Sequence, residues 1–169
     1  MRLLYLLRHA KSSWGDPGLE DRDRPLNSRG RRAARLVAEH LRAEGVSPEL
    51  VLCSASLRTR QTLAAILPAL EGELEARIEV ALYSAGAEEL VERLRTVPAS
   101  TSSVLVIGHN PGLHELALSL AGTGRDLERL REHFPTGALA TLAVPEPGWA
   151  ELAEGDAELT GYAVPRELG

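Results

Sequence analysis

Short apolar runs alternate along the chain with longer amphipathic stretches. Residues 2–7, Arg2-Leu3-Leu4-Tyr5-Leu6-Leu7, are almost wholly apolar and end on Arg8-His9. A short apolar run bounded by polar residues predicts a buried strand, here one that delivers a polar pair at its C-terminal end. Residues 11–25 are polar and hold Gly15, Pro17, Gly18 and the carboxylates Asp16, Glu20, Asp21 and Asp23. They predict a long loop, and loops beyond about 12–15 residues are usually functional or disordered. Asn27 or Ser28 caps a helix running to about Glu44, with Ala33, Val37 and Leu41 on one face and Gly45 at its end. A second strand over 49–53 leads through Ser54-Ala55-Ser56 into a helix over 57–70. A third strand over 77–82 precedes an amphipathic helix over 87–96 that Pro98 stops. Ser103-Val104-Leu105-Val106-Ile107 has the composition of a strand buried on both faces. Gly108-His109-Asn110-Pro111-Gly112 follows it, then a helix over 113–120, and strands near 138–144 and 159–164 close the chain.

Strand and helix alternate, which predicts an α/β fold: a three-layer α/β/α sandwich with a mainly parallel central sheet. With 169 residues and no internal repeat or linker, the expectation is one domain over 1–169. Net charge is 19 − 24 = −5, and the pI near 5.6 argues against nucleic acid as a partner held by bulk charge. A single cysteine, Cys53, forbids an internal disulfide and removes any cysteine-rich metal site. No apolar run reaches the roughly 18 residues of a membrane span, and the first apolar stretch is too short and too soon interrupted by charge for a signal peptide. These features predict a cytoplasmic monomer. Lys11 is the only lysine beside eighteen arginines, so each single arginine carries little information.

In parallel sheets ligands bind beyond the carboxyl ends of the strands. Three strands deliver polar residues there: Arg8-His9, Ser54 to Arg60, and His109-Asn110. A neutral imidazole can attack phosphorus while arginines balance the phosphoryl oxygens. A guanidinium fork fits such a group bidentately, which suits Arg8 and Arg58 for one anion. Each signal alone is weak, since a lone histidine at a strand end is commonly structural and an arginine early in a helix is commonly solvated. Their convergence carries the reading. His40, His114 and His133 show no ligand spacing, and no metal site is expected.

Leu7-Arg8-His9-Ala10-Lys11-Ser12-Ser13-Trp14 resembles the Arg-His-Gly/Ala signature of the histidine phosphatase superfamily, which includes the cofactor-dependent phosphoglycerate mutases. Ser54-Ala55-Ser56-Leu57-Arg58-Thr59-Arg60-Gln61-Thr62 resembles its second motif and Gly108-His109-Asn110 its third. Arg24-Pro25-Leu26-Asn27-Ser28-Arg29-Gly30, the Pro111-Gly112 extension of the third motif and the small size resemble the SixA-type phosphohistidine phosphatases. The match runs from residue 2 to about 120, and the remainder is expected to add only an edge of the sheet. The resemblance implies a phosphoglycerate mutase-like fold, a phosphohistidine intermediate on His9, and Arg8, Arg58 and His109 as the rest of the phosphate pocket. Lys11, Ser12 and Asn110 become substrate-binding candidates, with the Asn110 N–H opening a helix toward the anion. By register Arg58, not Arg60, is the pocket residue. No cofactor is implied, and the partner is a phosphorylated protein carrying phosphohistidine or a small phosphorylated substrate. A small-molecule phosphomonoesterase of the same superfamily, or a non-catalytic phospho-ligand module, remains the alternative.

One element of the superfamily is missing. Expelling an alkoxide needs a general acid, worth about 10²–10⁴-fold. The superfamily's two usual positions fall here on Leu82-Tyr83-Ser84-Ala85-Gly86 and on Asn110, and neither carries a carboxylate. Glu20, Asp21, Asp23 and Glu88 are the candidates for a displaced acid. Trp14 fits either the core or the rim of the pocket.

Overall fold

The computed structural model describes residues 1–169, built on one seven-stranded sheet. Its strands are β1 (Arg2–Arg8), β2 (Leu50–Ser54), β3 (Glu75–Glu79), β4 (Ser103–Gly108), β5 (Ala121–Gly124), β6 (Leu139–Val144) and β7 (Ala157–Ala163). The helices are α1 (Ser28–Ala43), α2 (Leu57–Ile66), α3 (Ala87–Arg95), α4 (Gly112–Leu120) and α5 (Leu127–Glu132). Strand order is β3-β2-β4-β1-β6-β7-β5. β1, β2, β3 and β4 run parallel, β6 is antiparallel to both its neighbours, and β5 pairs parallel with β7. The expected α/β sandwich with a mainly parallel sheet is what forms.

Side chains alternate across the sheet with the period of two that strands impose. Leu4, Leu6, Val104 and Val106 face one layer, with Leu90 and Leu94 of α3 and Leu113, Leu116 and Leu120 of α4. Tyr5, Leu7, Leu105 and Ile107 face the other, with Val37 and Leu41 of α1 and Leu63 and Ile66 of α2. Each fully buried aliphatic side chain contributes roughly 1.5–3 kcal/mol. Asn27 caps α1, its side chain accepting from the Gly30 N–H at 2.8 Å. The buried face of α1 is Gly30, Ala34, Val37, Ala38 and Leu41, with Ala33 only half-buried. No helix is long and apolar enough to cross a membrane.

Three expectations need correction. The third strand ends at Glu79, and residues 80–82 form a 3-10 turn instead. The second helix stops at Ile66, because Pro68 sits in the 3-10 turn that follows. The C-terminal part does more than close an edge: β6 lies beside β1 in the middle of the sheet. β5 and α5 had no sequence signal. Ala121-Gly122-Thr123-Gly124 lacks an apolar β-branched pattern, and α5 is six residues long with one buried position, Leu130.

Two glycines set the spacing of the loops beyond the strand ends. A Cβ on Gly30 would lie 2.0 Å from the Lys11 carbonyl oxygen, and one on Gly112 would lie 2.2 Å from that of Ala85. α1 therefore seats directly on the segment after β1, and α4 on the segment carrying Tyr83. Gly30→Ala forces backbone apart; overpacking of this kind costs about 1–3 kcal/mol. We expect Gly30→Ala to lower the thermal midpoint by roughly 4–10 °C in calorimetry, with activity lost in step because the Lys11 segment must shift.

Candidate active site

The ends of β1, β2 and β4 meet at one cavity of about 770 Å³ whose lining includes Arg8, His9, Lys11, Ser12, Arg58, His109 and Asn110. The seven residues named from the sequence as catalytic or substrate-binding candidates therefore reach the same space. His9 follows β1 directly, and its N–H bonds to the Gly108 carbonyl at 3.1 Å, fixing the two strand ends in register. The His9 and His109 rings lie 5.3 Å apart between centroids. Arg58 sits in the first turn of α2, which Ser56 caps by accepting from the Thr59 N–H. Arg58 is buried and Arg60, two residues on, is exposed.

A hydrogen bond to a backbone carbonyl selects the tautomer of His9. His9 Nδ1–H donates to the Ala10 carbonyl at 2.7 Å, which leaves Nε2 unprotonated. Burial, assisted by His109, Arg58 and Arg8, lowers the His9 pKa to about 3 against the opposing pull of that carbonyl. His109 Nε2 meets the Ser54 hydroxyl at 2.7 Å, and burial, then Arg58, bring its pKa to about 4. Both imidazoles are therefore neutral near pH 7.

The arginines are each anchored by a backbone carbonyl. Arg8 donates to the Phe134 carbonyl at 3.2 Å, and Asn110 Nδ2 donates to the same oxygen at 2.8 Å. Arg58 donates to the Asp21 carbonyl at 2.7 Å and to its carboxylate at 2.9 Å. A guanidinium has five N–H donors, so each arginine keeps most of them for an anion. The Nε atoms of Arg8 and Arg58 are buried without a protein partner.

Several further residues line the cavity outside the three motifs. Asp21, in a 3-10 turn over residues 21–23, accepts from Arg58, from Arg24 at 3.1 Å and from the Tyr83 hydroxyl. The Tyr83 hydrogen bond first, then those from its arginines, hold the Asp21 carboxyl down at about 2 despite partial burial. Tyr83 in turn stands edge-on to His109, at 5.4 Å and 89°. Trp14 belongs to the rim: it is 79% exposed, and the Arg24 guanidinium stacks 3.4 Å from its ring centroid. His133, Pro135 and Thr136 complete the wall; they follow α5, the helix with no sequence signal. Glu20, Asp23 and Glu88 do not line the cavity, which leaves Asp21 as its one carboxylate. One expectation for Asn110 fails. α4 begins at Gly112 behind Pro111, so Asn110 precedes the helix and acts through its side chain on Phe134.

A histidine whose folded-state pKa is depressed binds fewer protons folded than unfolded. Stability is then complete above the unfolded pKa of about 6.5 and falls as pH drops below it. Between pH 7 and pH 5.5, wild type should lose about 1 kcal/mol more than His9→Asn, read by urea unfolding at each pH. Equal losses in the two proteins contradict a neutral buried His9.

The model of the histidine phosphatase superfamily (branch 1) matches residues 4–89. An uncharacterized protein of Mycobacterium tuberculosis strain H37Rv is 40% identical over 164 residues, covering 95% of this chain and all of that one. Among solved structures, a protein assigned as phosphohistidine phosphatase SixA from Agrobacterium tumefaciens superposes with a TM-score of 0.83 at 30% identity, covering 97% of this chain and 98% of the other. A protein histidine phosphatase SixA solved with tungstate superposes with a TM-score of 0.78 at 25% identity, covering 99% of each. The order of motifs, the sheet and these matches agree: the chain belongs to the histidine phosphatase superfamily, branch 1, and its fold is that of the SixA-like members.

Proposed function

We propose that the protein is a phosphohistidine phosphatase that works through a phosphoryl group carried on His9. The observation that carries this reading is His9 itself, a neutral imidazole at a strand end with Nδ1 committed to Ala10 and Nε2 free to attack. The phosphoryl group is transferred in line to Nε2, and its equatorial charge is met by Arg8 and Arg58. Ser54 lies 2.7 Å from Nε2 of His109; in the tautomer in which its hydroxyl donates there, the ring offers Nδ1–H to a phosphoryl oxygen as a neutral donor. Protonating that ring as well requires an incoming anion to raise its depressed pKa. Water then hydrolyses phospho-His9. The scheme uses no metal and no cofactor. SixA-like neighbours, one of them solved with the oxyanion tungstate, support the substrate class.

Labelled substrate quenched without acid should leave label on the wild-type chain and none on His9→Ala. Label retained in the mutant means a different nucleophile.

Leaving-group chemistry favours N–P over O–P bonds. Asp21 is ionised and held by Arg58, Arg24 and Tyr83, so it has no proton to give an alkoxide. Imidazole, whose conjugate acid has a pKa of about 6.5, takes its proton from solvent on the remote nitrogen before it leaves. Phosphohistidine should therefore turn over roughly 10²-fold or more faster than alkyl phosphates, with activated aryl phosphates between, in a kcat/KM panel at pH 7. Comparable alkyl turnover would move the assignment to a small-molecule phosphomonoesterase.

A further inference from the structure

A second, smaller cavity of about 320 Å³ runs on from the first, sharing Lys11, His133, Pro135 and Thr136 with it. Its outer part is formed by the start of α1 and by the turn after β7, which contribute Arg29 and Arg166 above an apolar wall of Ala33, Val164 and Pro165. Its lining carries three cations and no carboxylate, and it adjoins the first cavity. The chain is acidic overall, at −5, and nine of its eighteen arginines pair with a carboxylate. Lys11, Arg29 and Arg166 are not among the paired cations, all three are exposed, and no carboxylate lines the groove. Glu167, the acid next to Arg166 in sequence, is taken by Arg129 at 2.5 Å.

We propose that this groove is a docking site for an acidic segment of the phosphorylated protein, on the chain immediately beside the phosphohistidine. The inference rests on the phosphatase reading above and adds a substrate preference to it. Three uncompensated cations in a row attract and orient carboxylates, and such complementarity governs encounter and specificity more than raw affinity. The apolar wall favours a polypeptide over a small doubly charged metabolite. A peptide brings aliphatic side chains between its acids, whereas a second phosphate would use the cations and leave Ala33, Val164 and Pro165 idle. The continuity of the two cavities lets one extended chain place its phosphoryl group between Arg8 and Arg58 while its flank lies between Arg29 and Arg166.

The test compares three substrates: free phosphohistidine, a phosphohistidine peptide with Glu and Asp on both flanks, and the same peptide with Gln and Asn there. In wild type at low salt, the acidic peptide should have roughly tenfold higher kcat/KM than the neutral one, mainly through KM. That advantage should vanish in Arg29→Glu/Arg166→Glu and in about 0.5 M salt, while free phosphohistidine stays within about twofold. Equal rates on the two peptides in wild type, an advantage that survives the charge reversal, or a loss shared by all three substrates overturns the proposal. A small bisphosphate that depends on Arg29 and Arg166 where the peptide does not also overturns it. Binding of the unphosphorylated acidic peptide, read by fluorescence anisotropy, is measured alongside. Charge-dependent binding without turnover of any phosphohistidine substrate supports the groove and counts against the phosphatase reading; absence of such binding together with no turnover counts against both.

Discussion

The structure is organised around two guanidinium groups of like charge on one cavity, Arg58 buried and Arg8 half-buried. Each is desolvated, and Arg8 is further strained by the field of Arg58, so that its pKa falls below the usual arginine value. Isolated buried charges are expensive, and the surrounding elements answer in a particular way. Neutral dipoles anchor the groups from behind: the Phe134 carbonyl on Arg8 and the Asp21 carbonyl on Arg58. A single carboxylate, Asp21, offsets part of the charge from the half-exposed rim. The two histidines yield their protons rather than add to the repulsion. Burial lowers the pKa of both imidazoles first and the arginine field adds to it, so the cavity that gathers two guanidinium groups also holds its histidines unprotonated.

Asp21 shows how the outer loop joins this arrangement. Trp14 covers Arg24, Arg24 grips Asp21 and the Ser13 carbonyl, and Asp21 holds Arg58 and Tyr83. A polar loop with no regular strand of its own is thus tied to the cavity floor by a chain of cation contacts. The seat for that loop is steric, at Gly30 against Lys11.

The sequence was most legible where local pattern and tertiary role coincide. β1, β2 and β4 are apolar runs that end on Arg8-His9, Ser54 and Gly108-His109, so both the central sheet and the cavity floor could be read from them. Arg58 and Arg60 were separable only by register against the family motif; burial agrees with that choice. The walls were opaque for a physical reason. Asp21 sits in a solvated-looking acidic loop, and only its three-dimensional neighbours distinguish it from Glu20 and Asp23. His133 and Thr136 follow a six-residue helix whose sequence, Leu127-Glu128-Arg129-Leu130-Arg131-Glu132, has too few turns to show a period.

The position of β1 has a kinetic consequence. Its two neighbours in the sheet are β4, pairing Leu3 with Ser103, and β6, pairing Leu3 with Ala143. During synthesis β1 therefore waits for about a hundred further residues before one edge is covered, and about forty more for the other. During that interval Leu3-Leu4-Tyr5-Leu6-Leu7 is an apolar segment with no partner strand, the kind of sequence that pairs with another copy of itself. Contacts so distant along the chain also slow closure of the sheet. The arrangement that sets Arg8-His9 at the end of a central strand thus leaves the nascent chain dependent on a late event, the arrival of β6, for protection of β1.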